Sequence, residues 1–322
     1  MMKTKRVGAL LAAVLVGTLA MVPATAASAQ DGEPLDALLS RVAPEVRENL
    51  YGSVAGRGYE TVTPATIPAT AAEPITTHGE KTEVSLLLPA ASVVSEDSVG
   101  GADVRLFDHG NGSKSVPLVK DDGSVQVLTI IDEASAPQSY SYTIEVPEGA
   151  SLDVDEDGAV HITGAGGEFI GGVAPAWAVD ANGASVPTTY QVEGSTLTQL
   201  VNHDAAQFTY PIVADPWLGQ DLYYNPYVTF PSQGYKINVT PRVWGQTWAG
   251  PATWFAHVDE VKSKLGGSAW RWTNTIQEQF YCHIAGLPMS LPQYNLESWR
   301  PLVNWAQSLA SYRCKPYDGA WS

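Results

Sequence analysis

The composition of the chain changes sharply at Pro216. Residues 30–216 carry 28 acidic and 7 basic side chains, whereas residues 217–322 carry 6 acidic and 8 basic ones. Nine of the ten tryptophans lie at or after Trp217. A joint change of charge and aromatic content predicts a domain boundary, so we expect an acidic domain over 81–216 and a tryptophan-rich domain over 217–322. The strong acidity of the first part disfavours nucleic acid and anionic membranes as partners.

Residues 1–29 have the three parts of a secretory signal peptide. Three basic residues precede an apolar run over 7–22, and the segment ends on the small residues Ala-Ser-Ala at 27–29. This order predicts export and cleavage after Ala29. The apolar run is short for a membrane-spanning helix. We therefore expect a secreted protein, extracellular or loosely associated with the cell wall, with no membrane span after cleavage.

Residues 30–80 are expected to combine a short helix with a linker. Apolar residues between Leu35 and Leu50 recur at helical spacing, which predicts an amphipathic helix that is kinked near Pro44. The sequence ETVTPATIPATAAEPITTHGE follows and is rich in Thr, Pro and Ala. Such a composition is typical of an extended spacer that forms no core.

Residues 81–216 have the pattern of an all-β domain. Turn sequences such as DHGNGS, KDDGS and DANG separate short runs rich in β-branched and aromatic residues. Seven of these runs predict strands: EVSLLLP, ADVRLF, SVQVLTII, YSYTIEVP, AVHIT, TTYQVEG and TLTQLV. Strands at this spacing predict a β-sandwich-like domain.

The turn sequence DVDEDG within this region has two interpretations. Asp153, Asp155 and Asp157 alternate, with Gly158 next, as at the start of an EF-hand-like calcium loop. The twelfth position of such a loop, Gly164, lacks the bidentate glutamate. An acidic hairpin tip is therefore favoured. Weak calcium binding stays open as the alternative, and no other cofactor is expected.

Residues 217–322 predict one strand, within YKINVTPRVW, followed by three helices. The helices are expected in PATWFAHVDEVKSKLGG, in TNTIQEQFYCHIAG and in RPLVNWAQSLASYRC, the last beginning at Pro301. Their expected buried faces comprise Trp254, Val258, Val261 and Leu265, then Ile276, Phe280 and Ile284, and finally Leu302, Trp305, Leu309 and Tyr312. His257 is expected on a solvated face. The fold class is thus an α+β multidomain protein.

Cys282 and Cys314 are the two cysteines of the chain. In an exported protein an even cysteine count predicts a disulfide. A bridge across these 33 residues should stabilise the fold by about 3–4 kcal/mol. Thiol chemistry would leave Cys314 unexplained, and a metal site lacks the usual ligand spacing. Both remain as alternatives to the disulfide.

Catalytic and binding functions are both open on the sequence. Established motifs such as G-x-S-x-G, H-E-x-x-H and the P-loop do not occur. His283 and Glu297, with Arg300, could perform acid–base chemistry on a glycan. The alternative for this trio is structural: Arg300 bonds to carbonyls or to Glu297, and His283 is a half-buried packing residue.

The sequence SAWRWTN predicts a ligand surface. It places Trp270, Arg271 and Trp272 in a loop, where aromatic faces can stack on sugar rings. We therefore expect a non-enzymatic binding or interaction protein of the cell envelope or extracellular space. Its partner would be a cell-wall glycan or an extracellular protein. A secreted glycan hydrolase and a toxin-like effector are the alternative functions.

Two stretches resemble known families. AWAVDANGASVPTTYQVEGSTLTQLVNH with YPIVADPW is similar, over about 138–217, to a β-rich module of secreted actinobacterial proteins. That resemblance implies a scaffold or spacer. QEQFYCH and YNLESWRPLVNWA, with the later Arg-Cys pair, resemble the secreted actinobacterial domain of unknown function numbered 2599, over about 236–315. This second resemblance implies the compartment, a folding unit and the pairing of Cys282 with Cys314, but no reaction.

Overall fold

The computed structural model describes most of the chain outside the predicted signal peptide. The described residues are 33–52, 64–91, 93–204, 206–286 and 293–316. The predicted cleavage point at Ala29 lies outside them. The described residues from Pro34 onward form one compact unit. No helix in the described ranges is long and apolar enough to cross a membrane.

The chain enters this unit with the helix predicted for residues 35–50. Helix α1 (Leu35–Val42) is followed by a short 3₁₀ helix (Pro44–Arg47), so the helical path breaks at the predicted proline. Apolar residues at helical spacing place one face of α1 on the β-sheet region, where Leu38 and Leu39 are buried. The predicted amphipathic helix and its kink are confirmed.

Fifteen strands follow in the described residues up to 219. They are β1 (Ile75–His78), β2 (Glu83–Leu87), β3 (Val93–Val99), β4 (Ala102–Asp108), β5 (Ser113–Val119), β6 (Val125–Ile131), β7 (Ser139–Glu145), β8 (Ser151–Val154), β9 (Val160–Thr163), β10 (Phe169–Val173), β11 (Trp177–Val179), β12 (Thr188–Glu193), β13 (Thr196–Val201), β14 (Ile212–Asp215) and β15 (Trp217–Gly219). All seven strands predicted from the sequence are present.

These strands form two antiparallel sheets around a shared core. One sheet has five strands in the order β1-β2-β7-β13-β12. The other has ten, with the path β3-β4-β5-β6-β15-β10-β9-β8, while β14 pairs with β6 and β11. Residues from both sheets, such as Tyr142 and Val127, meet in one apolar cluster. The predicted β-sandwich-like region is confirmed.

The Thr/Pro/Ala segment differs from the expected linker. Residues Ile75–His78 form β1, an edge strand that pairs with β2, and Ile75 is fully buried. Thr77 is buried as well, and its hydroxyl donates to the carbonyl of Val84 and to Gln220. The linker prediction from the Thr, Pro and Ala content was wrong here because one short stretch, PITTH, is enough to form a strand at the edge of a sheet.

A smaller sheet and four α-helices complete the fold within the described residues after 219. They are β16 (Tyr227–Thr229), β17 (Lys236–Val239), α2 (Val243–Thr247), α3 (Trp254–Leu265), α4 (Asn274–Gly286), β18 (Tyr294–Glu297) and α5 (Trp305–Tyr312). The sheet order is β16-β17-β18. Two 3₁₀ helices, Pro251–Thr253 and Gly266–Arg271, flank α3. With this mostly helical region the α+β fold class is confirmed.

The last helix is shorter than predicted. It begins at Trp305, where the Asn304 side chain accepts a hydrogen bond from the backbone N–H of Ala306, and not at Pro301. Leu302 therefore lies before the helix and is exposed, so its assignment to the buried face was wrong. Trp305 is half-buried and meets the Trp254 ring at 5.1 Å, edge to face.

The tryptophan-rich region packs directly on the sheets. Strand β15 follows Pro216 and pairs with β6 and β10, so it completes the larger sheet. The ring of Trp244 lies against Gly219, where a Cβ atom would come within 2.3 Å of it. Trp244 is fully buried and stacks on Trp248. The two regions are thus continuous in their packing, and their division into domains at Pro216 stays a prediction.

The two cysteines form the predicted disulfide. Cys282 in α4 and Cys314, just after α5, are bonded with a Cα–Cα distance of 5.4 Å. Both are buried. The bridge ties the end of the last helix to the middle of α4. Thiol chemistry and a metal site at these residues are excluded while the bond is intact.

Candidate functional site

One exposed group of aromatic side chains surrounds an arginine, and we call it the Trp270 surface. It consists of Phe230, Tyr235, Trp270 and Arg271. The exposed fraction is 71% for Trp270 and 68% for Phe230. Large apolar side chains at this exposure are informative when they cluster.

Two elements bring these residues together. Phe230 and Tyr235 lie in the turn between β16 and β17, and Trp270 and Arg271 end the 3₁₀ helix after α3. The Tyr235 hydroxyl donates to the backbone carbonyl of Arg271 at 2.8 Å. Ser298 fixes Tyr235 in turn, because its hydroxyl accepts from the Tyr235 backbone N–H at 2.9 Å. Hydrogen bonds that involve the backbone of Tyr235 and Arg271 therefore fix the position of the Trp270 surface.

The guanidinium of Arg271 lies among three rings. Its central carbon is 4.1 Å from the ring centre of Trp270, 5.0 Å from that of Phe230 and 5.3 Å from that of Tyr235. At these distances a guanidinium is attracted by the faces of aromatic rings. Arg271 thus holds the aromatic side chains in place around a positive charge.

This charge has no partner of opposite sign in the described part of the chain. Arg242 pairs with Glu80 and Arg300 with Glu297, whereas among the described residues the side chain of Arg271 makes only the three ring contacts. Its Nε is sealed from solvent and has no hydrogen-bond partner among the described residues. An unpaired polar group of this kind is unusual in a folded protein.

Trp272 does not belong to this surface. Its ring is half-buried, packs edge to face on Phe280 at 5.1 Å, and donates from Nε1 to Gln277. Of the three residues predicted to bind a ligand, the structure places Trp270 and Arg271 together and turns Trp272 towards the core.

The second group of candidates, His283, Glu297 and Arg300, does not form one hydrogen-bonded unit. Arg300 pairs with Glu297 three residues before it and donates to the carbonyl of Pro316. His283 is buried, and neither of its ring nitrogens has a hydrogen-bond partner among the described residues. Its ring stacks on Tyr294 at 4.9 Å.

The environment of His283 favours the neutral imidazole. Burial lowers its pKa to about 4, with a further contribution from the positive charge of Lys315. A general base works best with a pKa near the operating pH. The arrangement therefore supports a structural role for His283, whose ring packs on Tyr294 beside the disulfide.

Replacing His283 with phenylalanine should reduce the pH dependence of stability below pH 6.5, while the contribution of His257, whose pKa burial also lowers to about 4, remains. Between pH 6.5 and 4 the unfolded chain binds a proton at His283 and the folded chain does not, so the wild type loses stability as the pH falls. The expected loss is about 1.4 kcal/mol per pH unit, and the variant should lack this contribution. Urea unfolding at pH 7, 6 and 5 measures both slopes. Identical slopes would contradict the account.

The DVDEDG sequence forms a hairpin tip between β8 and β9, as favoured from the sequence over a calcium loop. One carboxylate oxygen of Asp155 accepts from the backbone N–H groups of Asp157 and Ala159, and the other bonds to His161 at 2.7 Å. Asp153 accepts from the hydroxyl of Ser151. Within the described residues, no group of three or more His, Cys, Asp or Glu side chains could hold a metal ion.

His257 is buried, so its predicted solvated position was wrong. Its Nδ1 bonds to the hydroxyl of Tyr223 at 2.6 Å, and its Nε2 bonds to the carbonyl of Trp248 at 2.7 Å. Burial lowers its pKa to about 4. The prediction was wrong because the chain around Trp248 covers the face of α3 that carries His257.

Among the described residues, the β-sheet region contains the two clefts described next. One, of about 290 Å³, lies between the end of the 44–51 segment and β4, with Glu96, Asp97 and Asp103 in its lining. The other, of about 350 Å³, lies beside the 153–158 hairpin tip and Tyr190. Neither cleft includes a residue of the Trp270 surface or of the His283 group.

The fold and this surface define a disulfide-bonded α+β protein whose helical region presents an exposed aromatic and cationic group. The family described as "Protein of unknown function (DUF2599)" matches residues 229–317. The match supports a C-terminal domain of unknown function and includes all four residues of the Trp270 surface and both cysteines. No curated protein matches the chain. No solved structure matches it either.

Proposed function

We propose that the protein is a secreted, non-enzymatic binding module that recognises glycan of the cell envelope through the Trp270 surface. The observation that carries this proposal is the exposure of Trp270 and Phe230 around Arg271. Sugars present apolar C–H faces that stack on aromatic rings, and tryptophan, tyrosine and arginine are enriched at binding sites. The proposal involves no cofactor.

Location outside the cell is part of the same proposal. The signal-like sequence over 1–29 supports export. The disulfide between Cys282 and Cys314 supports an oxidising compartment, where such bonds persist. The β-sheet region then serves as an acidic scaffold, with the helical region as the part that contacts the wall or the extracellular partner.

Replacing Trp270 with alanine should weaken binding to purified, insoluble peptidoglycan by about 10–30-fold, as for a central interface tryptophan. Sedimentation of the disulfide-bonded protein with increasing amounts of peptidoglycan measures the affinity. Because Trp270 is mostly exposed, the variant should keep the melting temperature of the wild type within a few degrees.

Phe255→Ala is the matched control. Phe255 is also an exposed aromatic residue, at the opposite end of α3, and its loss should change the affinity less than twofold. Absence of wild-type binding would refute the proposed function. Equal losses in both variants would refute the location of the site.

A further inference from the structure

The Trp270 surface differs from a purely apolar sugar platform because a full positive charge lies within it. The three rings contact the guanidinium of Arg271, but aromatic contacts do not replace the hydrogen-bond acceptors that its N–H groups require. The two terminal nitrogens donate to no described residue and, unlike Nε, are not sealed from solvent. They are free to donate to a ligand.

The chemistry of a guanidinium specifies the missing group. Its planar, parallel N–H donors fit a carboxylate in a bidentate arrangement, and a charge-assisted pair of this kind is stronger than a neutral hydrogen bond. The flanking rings exclude water from one side of the pair and so strengthen it. A ligand that stacks on Trp270 would bring such a carboxylate to Arg271 if the sugar, or a peptide attached to it, carries one.

Because the chain as a whole is acidic, an anionic ligand has to be bound by a contact of short range. The formal net charge is −16, so an anionic polymer is repelled by the molecule as a whole. This repulsion is screened beyond about 8 Å at physiological ionic strength. Residues 217–322, with 8 basic and 6 acidic side chains, are the part of the chain that tolerates an anion.

We propose that the Trp270 surface selects glycans that carry carboxylate groups, with Trp270 and Phe230 contacting the sugar and Arg271 binding the carboxylate. This inference rests on the proposed function and names its ligand class. It assigns to Arg271 a role in specificity in addition to its contacts with the rings.

The test compares purified peptidoglycan with the same material after its carboxyl groups have been amidated with a carbodiimide and glycine methyl ester. The wild type should bind native peptidoglycan about tenfold more tightly than the amidated material, as expected for loss of one charge-assisted contact. Arg271→Gln should bind both materials alike. Arg271→Lys keeps the charge and should retain part of the preference. Thermal unfolding of each variant checks that the fold is intact.

The outcomes separate this inference from the proposed function. Equal wild-type binding to both materials, abolished by Trp270→Ala, would overturn the selection of carboxylates and leave glycan binding in place. A preference that persists in a folded Arg271→Gln protein would also overturn the role of Arg271. No wild-type binding to either material would overturn both proposals.

Discussion

Replacing Glu260 with alanine is expected to lower the free energy of unfolding by about 3–5 kcal/mol, which is the cost of breaking a buried ion pair by removing one partner. The carboxylate of Glu260 accepts from the backbone N–H groups of Leu222 and Tyr223, each at 2.9 Å, and pairs with Lys264 at 3.1 Å. All of these groups are buried or nearly so. Without the carboxylate, two backbone donors and one ammonium group lose an acceptor.

The location of Glu260 makes this loss large. Lys264 also pairs with Glu80 from the β-sheet region, and Arg242 pairs with the carboxylate of Glu80 as well. The polar network therefore joins α3 to the turn after β1. Burial raises the pKa of Glu260, so its charged form is held by these contacts against a desolvation penalty.

Chemical denaturation at pH 7 measures the effect. Asp259→Ala, at the exposed neighbouring position of the same helix, is the control and should change stability by less than about 0.5 kcal/mol. Glu260→Gln keeps an acceptor oxygen, so its loss of stability should lie between those of Glu260→Ala and Asp259→Ala. A Glu260→Ala protein as stable as the Asp259→Ala control would show that the network does not stabilise the fold.

Removal of the disulfide is expected to cost about 3–4 kcal/mol in the chain-entropy account, because the unfolded chain gains the freedom of the loop between Cys282 and Cys314. The Cys282→Ser, Cys314→Ser double variant is compared with the oxidised wild type by urea unfolding. The reduced wild type is a second reference and should match the variant closely. A difference of less than 1 kcal/mol from the oxidised protein would contradict this expectation.

Strand prediction from the sequence succeeded where exposed and buried residues alternate, and also for β6, which is buried throughout but rich in β-branched residues. β7 alternates exposed and buried residues along its whole length, and the period of two identifies it. β3 (VVSEDSV) was missed because it is an edge strand with six exposed residues, so no alternation exists. β10 (FIGGV) was missed because two glycines interrupt its apolar run where Trp248 packs against the backbone, whereas β6, equally buried but rich in β-branched residues, was predicted.

The candidate site was predicted in part. SAWRWTN identified Trp270 and Arg271 because two tryptophans and an arginine follow the end of a helix. Phe230 and Tyr235 were missed because they lie more than 30 residues earlier and reach the arginine through the β16–β17 turn. A long-range contact of this kind leaves no local pattern. The solvated position assigned to His257 failed for the same reason, since its cover comes from Trp248 and Tyr223.

The most direct test of the central claim observes the tryptophan indole N–H groups of the ¹⁵N-labelled protein by NMR during addition of soluble, enzymatically released peptidoglycan fragments. Trp270→Phe assigns the Trp270 signal by its disappearance. The signal of Trp270 should shift or broaden in a saturable manner, while those of the buried Trp244 and Trp248 should stay in place. An unchanged Trp270 signal at saturating fragment, or shifts confined to other tryptophans, would contradict a glycan site at the Trp270 surface.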